Sequence, residues 1–164
     1  MFKQYLPYIM LTVVLALGIY LASVAHEKDV PLTPGAKYYT VKFDNGVTLK
    51  TEVAETKEEL KTGLMFREKL PKNTGMFFIF GMEFKYTFWM KNTLIPLDII
   101  WINGRMEVVD VLTNVPPCVT EECPTYSPEY PAKYVIETPG KWAVWKKIYP
   151  GMKITVYRED GAQL

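Results

Sequence analysis

The raw material for catalysis is scarce in this chain. Its 164 residues hold one histidine, His26, and two cysteines, Cys118 and Cys123. There is no Gly-x-Ser-x-Gly elbow, and a cysteine nucleophile would find no histidine base in the body of the chain, so nucleophilic catalysis has little support. Zinc is poorly served as well, because two thiols and one distant imidazole leave its tetrahedral shell unfilled. Four residues between the cysteines, where a redox pair prefers two, argue against disulfide exchange chemistry. Charge bias is also missing. With Lys3 set aside, the basic and acidic residues balance, which disfavours a dedicated nucleic-acid binder that must displace counterions from phosphates. Internal repeats are absent, and long helices do not alternate with strands, so a doubly wound nucleotide-binding fold is disfavoured. No cofactor is expected.

One further absence is informative. No charged residue lies between Lys3 and Glu27, and residues 6–25 read LPYIMLTVVLALGIYLASVA. At about 1.5 Å per helical residue such a run can cross a hydrocarbon core roughly 30 Å thick. Lys3 precedes it and Glu27, Lys28 and Asp29 follow, so the positive-inside rule places the N-terminus in the cytoplasm and the rest of the chain outside. Ser23 and Ala25 also suit a signal peptidase. The expectation is therefore a signal anchor or signal peptide at residues 1–25, with the anchor preferred because the run exceeds a usual signal core. Either way the protein sits in the cell membrane by a single pass with its C-terminal domain outside, or is secreted. Residues 26–37, with Pro31, Pro34 and Gly35, read as a short extended tether.

What remains, 49% of the whole chain being hydrophobic and 23% charged, suits one globular domain over residues 38–164. Strict alternation of Val47, Leu49, Thr51 and Val53 after Asp44-Asn45-Gly46 predicts a hairpin with Val41 and Phe43 on its other arm. Thr56 and Glu59 form a capping box, and Gly63 offers a left-handed stop, so a short helix fits between them. The runs Met76–Phe80 and Leu97–Ile102 are short and continuously apolar, as strands buried on both faces are. Asn103-Gly104 turns the second into Met106–Leu112. Tyr134–Ile136 and Lys153–Tyr157 predict two more strands, with a short helix near Trp142–Trp145. The expected fold is mostly β with short helices (α+β), a single barrel-like or sandwich-like domain after the N-terminal transmembrane helix.

Three blocks hold the candidate chemistry. In Gly63-Leu64-Met65-Phe66-Arg67, the Arg67 guanidinium could clamp a carboxylate or phosphate, or pair with an acid of the fold. In Phe88-Trp89-Met90-Lys91-Asn92-Thr93 and Ile95-Pro96-Leu97-Asp98, a compact polar set is bracketed by aromatics, as in a pocket with a few oriented polar groups. Asn92 and Thr93 could equally cap a turn. If the block is extended, Phe88 and Met90 face one way and Trp89 and Lys91 the other. Lys91, if buried, then needs a carboxylate, Asp98 foremost, or main-chain carbonyls. The third block is Cys118 to Cys123, between Pro117 and Pro124, where export would favour a disulfide. Asp98, Asp110 and Glu137 could supply a carboxylate pair, and Trp89, Trp101, Trp142 and Trp145 could stack on sugars, though core packing competes for most of them.

The pieces Gly63-Leu64-Met65-x-Arg67, Gly75–Phe80, FWMKNT at 88–93, IPLD at 95–98 and Tyr134-Val135-Ile136-Glu137 resemble, in order, the bacterial and archaeal family called domain of unknown function 192. The resemblance runs from about Lys42 to Tyr157. It implies a mostly β domain, commonly exported, with no established activity. It carries over Arg67, Lys91, Asn92, Thr93, Asp98 and Glu137 as recurrent polar positions, whereas the Cys118–Cys123 loop is an elaboration. Two functional readings follow. One is a membrane-tethered module whose pocket around Trp89, Lys91, Asn92 and Asp98 binds a small anion or a polar or saccharide ligand of the envelope. The other is an envelope hydrolase with Asp98 or Glu137 as acid or base and Lys91 or Arg67 stabilising negative charge. Binding is preferred, because no nucleophile and base pair stands out.

Overall fold

The computed structural model describes Met10, residues 12–14 and Leu32–Leu164. Met10 and residues 12–14 are helical; the rest of the apolar run at 6–25, and the tether up to residue 31, lie outside the described residues. Among the described residues, no helix is long and apolar enough to cross a membrane. Leu32–Leu164 form one compact unit. It contains strands β1 (Tyr38–Phe43), β2 (Thr48–Ala54), β3 (Thr74–Phe84), β4 (Phe88–Trp89), β5 (Leu97–Ile102), β6 (Val108–Val115), β7 (Thr125–Tyr126), β8 (Ala132–Pro139) and β9 (Ile154–Arg158). Helix α1 spans Lys57–Thr62 and helix α2 Trp142–Lys146.

Local chemistry sets the early elements. Gly46 takes φ +86° at the β1–β2 turn, and the Asn45 side chain accepts the Val47 N–H at 3.1 Å. Thr56 caps α1 by accepting the Glu59 N–H, while Glu59 reaches back to the Thr56 N–H at 2.9 Å. The α1 crossover lets β2 and β3 run parallel; every other pairing is antiparallel. A parallel neighbour needs such a connection because a tight turn can only reverse the chain.

Seven strands form one mixed sheet in the order β6-β5-β8-β3-β2-β1-β9, and β4 pairs with β7 separately. The expected barrel or sandwich is thus corrected to an open sheet. Its two edge strands meet only at one corner, where Glu107 bridges Lys153 and the Ile154 N–H donates to the Met106 carbonyl at 2.9 Å. Beyond that corner they do not pair, and Trp142, Ala143, Ile148 and Met152, from α2 and the loop after it, pack into the first core.

Side-chain alternation splits the central strands between two cores. Phe77, Ile100, Ile102, Tyr134 and Ile136 enter the first, with the hairpin and α2. Phe78, Ile99, Trp101 and Val135 enter the second, on the opposite face, with Leu64, Met76 and Met90. Asp98 belongs to the α2 side. Fully buried, its carboxyl group accepts the N–H groups of Asn114 on β6 at 2.7 Å and of Lys141 and Ala143 at the start of α2 at 2.7 and 2.6 Å. One side chain on β5 therefore ties down both β6 and α2.

Replacing Asp98 by Ala removes the acceptor of three main-chain donors, that of Ala143 buried and those of Asn114 and Lys141 partly so; each lost bond is worth roughly 1 kcal/mol, and a buried donor left without a partner costs roughly 1–3 kcal/mol. Asp98→Ala is expected to lose at least about 3 kcal/mol of unfolding free energy in denaturant titration. A loss below about 1 kcal/mol would refute this anchoring role.

Candidate functional site

The strand register builds the site. Glu52 on β2 pairs with Met76 on β3, Met76 with Glu137 on β8, and Glu137 with Ile99 on β5, so these four residues form one row across the sheet. The row lies on the face of the second core, away from Asp98, which pairs with Thr138. The crossover with α1, the segment around β4 and the disulfide loop pass on this side. Phe78 and Phe88 meet edge to face at 5.2 Å, and Phe88 meets Trp101 in the same way at 6.1 Å.

Glu137 sits at the bottom of a small cavity of about 30 Å³ whose walls include Gly63, Met65, Phe78, Phe88, Trp89 and Thr93. That volume suits one small group, about the size of a water molecule. Only 5% of Glu137 is exposed. Gly63 ends α1 at φ +48°, and a Cβ there would stand 3.2 Å from the Phe78 ring and 3.7 Å from Glu137 Oε2, so the cavity wall is tight at this point. Glu137 makes no hydrogen bond or ion pair with any described residue. Among the described residues, no side-chain nitrogen or oxygen is at once sealed and unpartnered, so its oxygens open into the cavity. Burial alone pushes its carboxyl group up to about 8. Near neutral pH it is mostly a neutral acid, able to donate one hydrogen bond and accept another.

The other residues singled out in the sequence divide. Trp89, 44% exposed, stands at this cavity, and Thr93, buried, lines it. Phe88 and Met90 pack with the second core, and Lys91 rests beside the outward-facing Trp89 with its ammonium 5.9 Å from the ring. Lys91 does not meet Asp98. Its Nζ donates to the Glu121 carbonyl at 3.2 Å, because Asp98 projects to the opposite side and is already occupied by main-chain donors. Asn92 takes φ +56° and is a turn residue, its N–H on the Cys118 carbonyl and its carbonyl accepting the Phe66 N–H, both at 2.8 Å. Cys118 and Cys123 form a disulfide, next to this turn.

Arg67 is spent on the fold. Its two terminal nitrogens fork onto the two Glu52 oxygens at 2.6 Å each, and Thr33 joins from the chain before β1, donating to Glu52 Oε1 at 2.6 Å. Burial pushes the Glu52 carboxyl up, but hydrogen bonds from Arg67 and Thr33 and the Arg67 charge outweigh it and hold the group below the usual range. The row thus carries one ionised carboxylate with a partner and one neutral carboxyl without. Asp98 and Glu137 cannot act as a pair, since the sheet lies between them. Gly63, Phe78 and Phe88 were missed as cavity walls, although Gly63 and Phe78 belong to blocks that the sequence marks. Only the alternation of β8, with Val135 and Glu137 on one side, hints that Glu137 shares the buried face.

Linkage gives a direct check. Glu137 binds its proton more tightly folded than unfolded, so its contribution is complete below the ordinary carboxyl range near 4.5 and is lost as pH rises toward 8. Unfolding free energy should fall with pH across that window, with a slope approaching 1.4 kcal/mol per pH unit from this group, roughly the value of one proton. Glu137→Gln should flatten the slope. An unchanged slope in the variant would show that Glu137 is ionised at neutral pH.

A family model described as an uncharacterized ACR family, domain of unknown function 192, matches residues 40–156. A crystal structure of a protein of unknown function from Novosphingobium aromaticivorans DSM 12444 is 32% identical, with a TM-score of 0.67 over 76% of this chain and 90% of that one. Another, from Sinorhizobium meliloti 1021 and described as "a putative transcription regulator", is 25% identical, with a TM-score of 0.63 over 76% of this chain and 96% of that one. No curated protein matches the chain. With the family model running from within β1 to within β9, the chain belongs to the domain of unknown function 192 family.

Proposed function

We propose that this domain is a binding module of the cell envelope, tethered through residues 6–25, whose Glu137 cavity receives one small polar substituent of a ligand such as a saccharide. The observation that carries this reading is the Glu137 carboxyl group, nine-tenths buried, without a partner among the described residues and open to a cavity. Its oxygens face the cavity, so a guest there can pair with a carboxyl group that the strand already holds in place. Thr93 adds a hydroxyl, and Trp89 at the mouth adds a flat apolar surface on which a sugar ring can stack. The hydrolase reading loses support because Asp98 and Arg67 are both engaged by the fold and Glu137 faces no second free carboxylate. The disulfide supports an oxidising location, and the uncharged run before Glu27 supports export.

Titration of the full chain with envelope saccharides, followed by tryptophan fluorescence, tests the binding. Trp89→Ala is expected to lower affinity at least tenfold while leaving the unfolding temperature within about 2 °C. Equal affinities for Trp89→Ala and the parent would remove this surface from the site. The Cys118–Cys123 disulfide that export favours is checked separately. Without reductant, the mass of freshly isolated protein should be two hydrogens below that of the dithiol, and two alkylatable thiols would refute it.

A further inference from the structure

Resting on that reading, we propose that the substituent received by the Glu137 cavity is a primary ammonium group, so that the ligand is a small amine such as an amino sugar. Three features of the cavity converge on a compact cation. The first is Glu137, a carboxyl group that makes no hydrogen bond or ion pair with any described residue. A neutral guest would be served as well by an amide; a carboxyl adds one capability, which is charge.

The second feature is the aromatic wall. Phe78, Phe88 and Trp89 line the same space, and the face of an aromatic ring, such as that of Trp89 at the mouth, attracts a cation through its quadrupole, more strongly where water is excluded. The Lys91 ammonium already lies 5.9 Å from the Trp89 ring, so this indole accepts a cation. The third feature is size. About 30 Å³ admits an ammonium or a hydroxyl but not a quaternary amine. Thr93 and the Glu137 oxygens supply acceptors for its N–H groups, and a free carboxyl group selects against anions.

The charges facing the cavity are few. Lys61, on the last turn of α1, lies at its edge and makes no ion pair with Glu137. Lys91 is turned to the Glu121 carbonyl beyond Trp89. The Glu52–Arg67 pair stands beyond Met76 in the cross-strand row and is close to neutral as a unit. Binding of a cation therefore requires Glu137 to release its proton. The transfer is balanced: the carboxyl O–H gives its proton to solvent buffer, and the ammonium ion takes its place as the counter-charge.

The test uses the full chain with glutamate carboxyl groups labelled with ¹³C, and methylammonium as the probe. Methylammonium affinity should rise about tenfold per pH unit between pH 6 and 8 and level off above, and saturation should move the Glu137 titration down by at least one pH unit. Tetramethylammonium should not compete. At pH 7, glucosamine should bind at least tenfold more tightly than glucose or N-acetylglucosamine, and Glu137→Gln should abolish that preference. If all three sugars perturb Trp89 and Glu137 equally, the ammonium inference fails and the binding module stands. If none perturbs either residue, both fail. A methylammonium affinity independent of pH, measured on the unaltered chain, overturns the inference whatever the variant does.

Discussion

Burial of the central strands on both faces is the constraint on which the rest depends. Strands β5 and β8 are almost wholly buried along their length, and β3 is buried through its first half. Successive residues therefore enter different cores, and any polar side chain on these strands must be satisfied inside one of them or stay unpaired there. Asp98 and Glu137 show the two outcomes. Asp98 enters the core shared with α2 and is saturated by main-chain donors. Glu137, paired across the ladder with Ile99 and so one position out of step, enters the other core and finds no partner among the described residues.

That second core has an unusual cover. Against the strand floor lie α1 and the stretch after it, the small β4–β7 ladder and the disulfide loop. Irregular cover of this kind is held by specific contacts more than by a regular face. The capping box fixes the start of α1, the Arg67–Glu52 fork with Thr33 ties the crossover to β2 and to the chain entering β1, and the Asn92–Cys118 and Lys91–Glu121 contacts fix the disulfide loop. A floor of rigid strand and walls of loop combine a precisely placed carboxyl group with a cover of irregular backbone.

The polar residues singled out in the sequence thus separate by role. Arg67, Asn92 and Asp98 hold the cover and α2 in place, which explains why charged and amide side chains sit in an apolar setting without being available to a ligand. Thr93 and Glu137 face open space instead. Trp89 and Lys91 flank that space from the outer side of β4, an arrangement that the alternation of FWMK already implied.

Sequence alone determined what depends on neighbours along the chain. The Asn45-Gly46 turn, the Thr56–Glu59 cap, the stop at Gly63, the apolar strands and the short helix at Trp142 all follow from backbone preference and side-chain period, and all stand where the residues put them. The motifs also placed Glu137, Thr93 and Trp89 among the candidates. Tertiary structure alone decided the partners. Whether the sheet closed, which strands met in parallel, whether Lys91 reached Asp98 and whether Asp98 faced Glu137 all turned on register between segments far apart in the chain. Register is set by the joint packing of two cores, and a shift of one residue would exchange every side chain between them. No local pattern carries that information, so the sequence marked the polar residues while the fold chose which of them would be left facing the cavity.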